Sequence, residues 1–174
     1  MKEHPVYSKN VIEFVKVGWE FCNWLEIDDI DKTEVFEWKA LKILPLLYLK
    51  MSLLVKPESV LDDFLEKTVT EADYDYIRQK VKLIMGRFDD YLEVFTNDIH
   101  LSETPIISTV SENIADIYQE IKDFLHNYRT AVTEIMNDAL VELITQFEIY
   151  WGQKLVNVLR AIHQAYYVNE DLEQ

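Results

Sequence analysis

Apolar residues recur along this chain at intervals of three and four, in long runs parted by short polar segments. That spacing predicts helices almost throughout. The first starts at Ser8, a good N-cap, and runs to about Glu26, with Val11, Phe14, Val15, Gly18, Cys22 and Leu25 facing inward. Trp19, Phe21 and Trp24 widen that stripe. An acidic connection from Glu26 to Glu37 leads to a second helix, opened at Asp31 with capping-box spacing to Glu34. Its predicted inner face is Val35, Trp38, Leu41, Leu44, Tyr48, Met51 and Leu54, and Pro45 is expected to kink or split it. Pro57 and Ser59 mark a turn into a short helix carrying Val60, Leu61, Phe64 and Leu65.

Thr70-Glu71-Ala72-Asp73 opens the next long helix, predicted to run six turns from Tyr74 to Phe95. Thr96 to Thr104 reads as a polar loop, with Thr104-Pro105 as the following N-cap and first helical residue. Ile114, Ile117, Tyr118, Ile121, Phe124, Leu125 and Tyr128 form the stripe of the next helix, and a break is expected near Arg129 to Thr133. The last stripe continues from Val132 through Trp151 to Tyr166, about 55 Å if unbroken, with Gly152 a possible bend. The tail 168–174 is expected to be loose. The fold class is therefore all-α: one domain over 1–174, an antiparallel bundle of about five long helices plus one short helix. Composition agrees, since only 3 Gly and 4 Pro among 174 residues leave little turn chemistry for strands.

Charge narrows the partners. With 32 acidic and 17 basic residues the net charge is −15, which repels phosphate backbones and anionic lipid. Direct nucleic-acid binding is excluded on that ground, although an acidic mimic of nucleic acid stays conceivable. The longest uncharged apolar stretch, Ile43 to Leu49, is far short of the ~20 residues of a spanning helix, so no membrane partner is expected. Residues 1–7 contain no apolar signal core, which points to the cytoplasm.

Candidate chemistry is sparse. A di-iron bundle needs paired Glu-x-x-His motifs; the chain offers one Asp-x-x-His, Asp123 to His126. Calcium-loop registers from Asp28 and Asp29 lack the sixth-position glycine and twelfth-position glutamate. The one cysteine, Cys22, lies on an apolar stripe and reads as a core residue rather than a nucleophile. No catalytic residue, cofactor or metal is assigned. Arg78, Lys80, Lys82 and Arg87 form a local charge reversal that does not share one helix face; it is read either as pairing with the chain's own acids or as a candidate basic patch for an acidic or phosphorylated ligand.

Three stretches carry a family resemblance: Ile114 to Phe124, Met136-Asn137-Asp138-Ala139-Leu140, and Tyr150-Trp151-Gly152-Gln153-Lys154-Leu155-Val156. With Tyr7 to Val15 and Leu44 to Lys50, they resemble a bacterial family, domain of unknown function 5063, over nearly the whole chain. The resemblance implies a bacterial cytosolic helical protein and no particular activity. It directs attention to the polar residues in these motifs. Asp116, Gln119 and Asp123 share a helix face, Tyr118 and Lys122 sit beside it, and Gln153 and Lys154 follow Trp151. They are candidates either for a ligand or partner face or for interhelical hydrogen bonds.

With 4 Trp and 10 Tyr in a small helical chain, some aromatics must reach the surface, where they favour interfaces. The expected function is a non-enzymatic protein–protein interaction module, with a second copy as one partner. The alternative is an enzyme or small-molecule binder with a pocket between helices near Pro45 or Gly152.

Overall fold

The computed structural model describes residues 4–27, 33–61, 64–93 and 106–172. They form an all-α bundle around one apolar core. After a 3-10 turn at Pro5–Tyr7, α1 spans Lys9–Glu26, with Ser8 accepting a hydrogen bond from the Val11 amide. α2 spans Thr33–Ser52 and pairs with α1 in antiparallel fashion, since Lys50 meets Glu13 and the Asn10 amide donates to the Leu53 carbonyl. The expected cap Asp31 lies outside the described residues.

Two expectations for α2 need correction. Of the two outcomes expected at Pro45 the split does not occur, since the helix runs unbroken through it with Pro45 exposed to solvent. Its inner face is Phe36, Ala40, Ile43, Leu44, Leu47 and Met51, whereas Val35, Trp38 and Tyr48 are exposed. The helix is apolar nearly all round, so periodicity alone could not choose a face. On α1, Trp19 likewise turns outward, while Cys22 is buried as expected.

Val60, Leu61, Phe64 and Leu65, expected on a short helix, are not helical among the described residues. The described residues of 54–70 form a non-helical strap tied to two later helices. α3 (Glu71–Met85) begins with a reciprocal capping box between Thr70 and Asp73. It ends ten residues short of Phe95, because Gly86 takes a positive φ of 53° that terminates the helix. A 3-10 turn at Gly86–Phe88 then leads into β1 (Asp90–Leu92), which pairs antiparallel with β2 (Ile107–Thr109), Tyr91 opposite Ser108. Phe95, the loop and the Thr104-Pro105 cap lie outside the described residues. Strand residues occupy 107–109, so α4 starts at Val110 with Thr109 as its cap.

α4 (Val110–Tyr128) is the central helix and packs against α1, α3 and both helices that follow. The buried Asp89 carboxylate accepts from the amide and hydroxyl of Ser111, each at 2.8 Å, at the positive end of α4. The expected break falls at Arg129–Val132, where Ala131 adopts φ 58°. α5 (Thr133–Gln146) and α6 (Gly152–Leu172) form one rod through a π-helical turn at Phe147–Trp151. The rod thus continues past Val168.

Gly18 and Gly152 are needed for close approach. A methyl on Gly18 would meet Ile121 of α4 at 3.0 Å. A methyl on Gly152 would lie 2.5 Å from the Phe147 carbonyl oxygen, which its own amide contacts across the π turn.

Candidate functional site

The polar side chains of the sequence motifs divide among three places. The first lies where α3, α4, α6 and β1–β2 meet. Asp116 receives the Tyr74 hydroxyl at 2.9 Å and the Lys154 ammonium at 2.6 Å. Lys154 also reaches Asn113 at 3.4 Å, and the Asn113 amide donates to the Tyr91 hydroxyl. Gln153 donates to Asn157, Asn157 to Glu93, and Glu93 accepts from Ser108 of β2. Asp116 and Lys154 arrive from helices turned toward each other by their apolar stripes, so the pair fixes their register.

Protonation follows from this geometry. Burial alone would lower the Lys154 pKa, but the Asp116 carboxylate outweighs it and holds the ammonium above its ordinary value. Burial and the same carboxylate push the Tyr74 phenol up, and burial raises Tyr91. At neutral pH the lysine is a cation and both phenols are protonated. The cluster can grip an acceptor, but it holds no poised amine or phenolate.

In the second place, Tyr118 donates to Glu26 at 2.9 Å and Lys122 pairs with the same carboxylate, tying α4 to the end of α1. Burial beside Glu26 raises the Tyr118 phenol. In the third, Asp123 accepts the amides of Thr68 and Val69 at 2.8 and 3.0 Å, and so holds the strap. His126 turns instead to Glu66 at 3.3 Å, so Asp123 and His126 do not converge. Gln119 is half-buried between these groups.

The strap has a second anchor that the sequence reading passed over. Asp138 of α5 accepts from the Val60 amide at 2.8 Å, the Leu61 amide at 2.9 Å and the Ser59 hydroxyl at 2.7 Å. Asn127 and Asn137 donate to the Glu66 and Glu58 carbonyls. Burial would raise the Asp138 carboxyl, but these donors together hold it below its ordinary value. A polar Asn-Asp pair inside the apolar run of α5 was the available signal.

The basic residues of α3 have separate roles. Arg78 pairs with Asp75 on its own helix, and Arg87 stacks over Phe88 at 4.6 Å. Lys80 donates to the Leu25 and Ile27 carbonyls, closing the end of α1. Lys82 is exposed. Cys22 is fully enclosed and burial pushes its thiol up, the opposite of a reactive thiolate. Among the described residues no three His, Cys, Asp or Glu side chains form a metal-holding group, and no helix is long and apolar enough to cross a membrane.

Burial raises the Glu120 carboxyl, as a general acid would need. The space beside it is about 10 Å3, however, room for one water at most. Wider clefts open elsewhere, and two of them lie away from Pro45 and Gly152. One, about 400 Å3, runs between β1 and α6 past Tyr91, Asn157 and Arg160. The other, about 430 Å3, is an apolar groove between α1 and α4 past Trp19 and Leu125.

Comparison with known proteins places the chain. The family model described as Domain of unknown function (DUF5063) matches residues 5–168. A crystal structure of protein BF1032 from Bacteroides fragilis is similar at 43% identity and a TM-score of 0.83, covering 94% of this chain and 99% of that one. No curated protein matches. Matched over nearly its full length in both sequence and fold, this chain belongs to the DUF5063 family, a domain of unknown function.

Proposed function

We propose that the chain is a non-enzymatic interaction module that offers the outer face of α2 to an acidic, apolar-faced helix of another protein. The observation that carries this reading is a second apolar stripe on α2, opposite the one that builds the core. Val35, Trp38, Leu46, Leu49 and Leu53 follow helical spacing and are all at least 40% exposed. Trp38 is 53% exposed and its ring carries the Lys42 ammonium 3.7 Å from its centre. Large apolar side chains gathered and exposed on one helix face mark a docking face.

Charge specifies the partner. The segment 38–57 contains four lysines and no acidic residue; Glu13 and Glu148 hold Lys50 and Lys56, which leaves Lys39 and Lys42 as the cations beside the stripe. Two copies meeting through this face would bring Lys39 and Lys42 of both into one interface, with no carboxylate from segment 38–57 to meet them, which costs affinity. An acidic partner helix gains where a second copy loses.

The test compares the wild-type chain with a Trp38→Glu/Leu49→Glu variant. Both sites are exposed, so the fold should keep its stability to within about 1 kcal/mol. The expected result is a partner that is retained by the wild type, lost by the variant, weakened by salt, and crosslinked from Lys39 or Lys42 to an acidic helix. A partner retained equally by both proteins would sink the proposal. So would a wild-type homodimer, seen by light scattering, that the same substitutions break.

A further inference from the structure

The groove between α1 and α4 is built differently from the α2 face and carries an independent inference. Gly18 lets α1 approach Ile121 closely, and the groove lies along this pair of helices with Thr68 of the strap among its lining residues. The floor is apolar: Val15, Trp19, Leu125 and Tyr128. Trp19 is 54% exposed there, a large indole that the chain itself leaves half uncovered. A volume of about 430 Å3 lies within the ~300–1,000 Å3 usual for small-molecule sites.

The rim has the opposite charge to the rest of the molecule. Lys16, Lys122, His126 and Arg129 line the groove, and none of its lining residues is acidic. Over the whole chain acids outnumber bases by nearly two to one, 32 against 17. Glu26 already holds Lys122, and Glu66 holds His126. Lys16 on α1 and Arg129 at the end of α4 are exposed on either side of the apolar floor.

We propose that this groove binds a small amphiphilic anion: an apolar body against Trp19 and Leu125, and one carboxylate or phosphate head drawn to Lys16 and Arg129. The floor supplies affinity through buried apolar area, and the cations select against neutral molecules of the same shape. An uncharged alcohol of equal chain length buries the same surface and lacks the head.

The probe is displacement of anilinonaphthalenesulfonate, an aromatic anion whose fluorescence rises in apolar sites, from the purified full chain. Decanoate, decyl phosphate and decanol are the competitors. At least one of the two anions should displace the dye well below the concentration at which decanol does, and the better one names the head group. A Lys16→Gln/Arg129→Gln variant should weaken anion binding by roughly 10-fold, the loss of two exposed charge contacts, with unchanged thermal stability. Trp38→Glu should leave displacement as in the wild type, which separates this groove from the α2 face. The proposal is overturned if decanol competes as well as the anions or if the double variant binds as the wild type does. Loss of dye binding on Trp38→Glu would overturn it as well.

Discussion

Replacing Gly152 by alanine is expected to destabilise the protein by on the order of 3 kcal/mol, lowering its melting temperature by about 10 °C. The added methyl would lie 2.5 Å from the Phe147 carbonyl oxygen and 3.0 Å from the Phe147 ring. A side-chain tip could yield, but a backbone oxygen in the same turn cannot. The sign is diagnostic, because glycine to alanine inside a helix ordinarily stabilises by up to about 1 kcal/mol. Relaxing the π turn to α geometry would relieve the clash only by rotating everything beyond it by about 100°. Leu155, Val158 and Ile162, all buried, would then leave the core, and Lys154 would lose Asp116. Thermal denaturation followed by circular dichroism decides the matter; an unchanged or raised melting temperature would refute the argument.

The second large effect is expected at Asp138. Asp138→Ala removes the acceptor for two strap amides and the Ser59 hydroxyl, and should cost about 2–3 kcal/mol by chemical denaturation. Asp138→Asn keeps the shape but loses the charge, and its penalty should depend on pH. The folded state holds the Asp138 carboxyl below its unfolded value. Its contribution is therefore full above the unfolded pKa near 4 and fades as pH falls through the lower folded value. The stability gap between wild type and Asp138→Asn should narrow below about pH 4. A gap that stays constant from pH 7 to pH 3 would show that the carboxylate charge does not hold the strap.

Much of this fold was legible where one apolar stripe competes with a polar remainder. On α4, Ile114, Ile117, Ile121 and Phe124 announce both the helix and its inward face, and all are buried. The capping box at Thr70 was readable for the same local reason. α2 was not, because two apolar stripes share one helix and only the neighbouring helices decide which is covered. Gly86 was a stop signal overridden by the apolar spacing that continues to Phe95, whereas positive φ there ends the helix. The strap has no period at all; it is held because two carboxylates far along the chain, Asp123 and Asp138, accept its amides.

The polar residues of α4 are not gathered at one place, although three of them share a helix face. Asp116, Gln119 and Asp123 do share a side of the helix, but α4 is long and central. It meets α3 and α6 near Asp116 and the strap near Asp123. Helical spacing gives a direction and says nothing about the partner at each height. The charge contrast at the groove was equally hidden, since Lys16 and Arg129 are over a hundred residues apart.

The strap also bears on the order in which the molecule assembles. It precedes in the chain both helices that hold it, with Asp138 gripping its start and Asp123 its end. Until the α4–α5 hairpin exists, its amides have only water to bind, so the segment must lock after the central helices have met. Contacts of such long sequence separation close late, and their loss is felt on the way out rather than on the way in. Stopped-flow measurements should then find that Asp138→Ala accelerates unfolding far more than it slows refolding. An equal effect on both rates would place the strap in the folding nucleus instead.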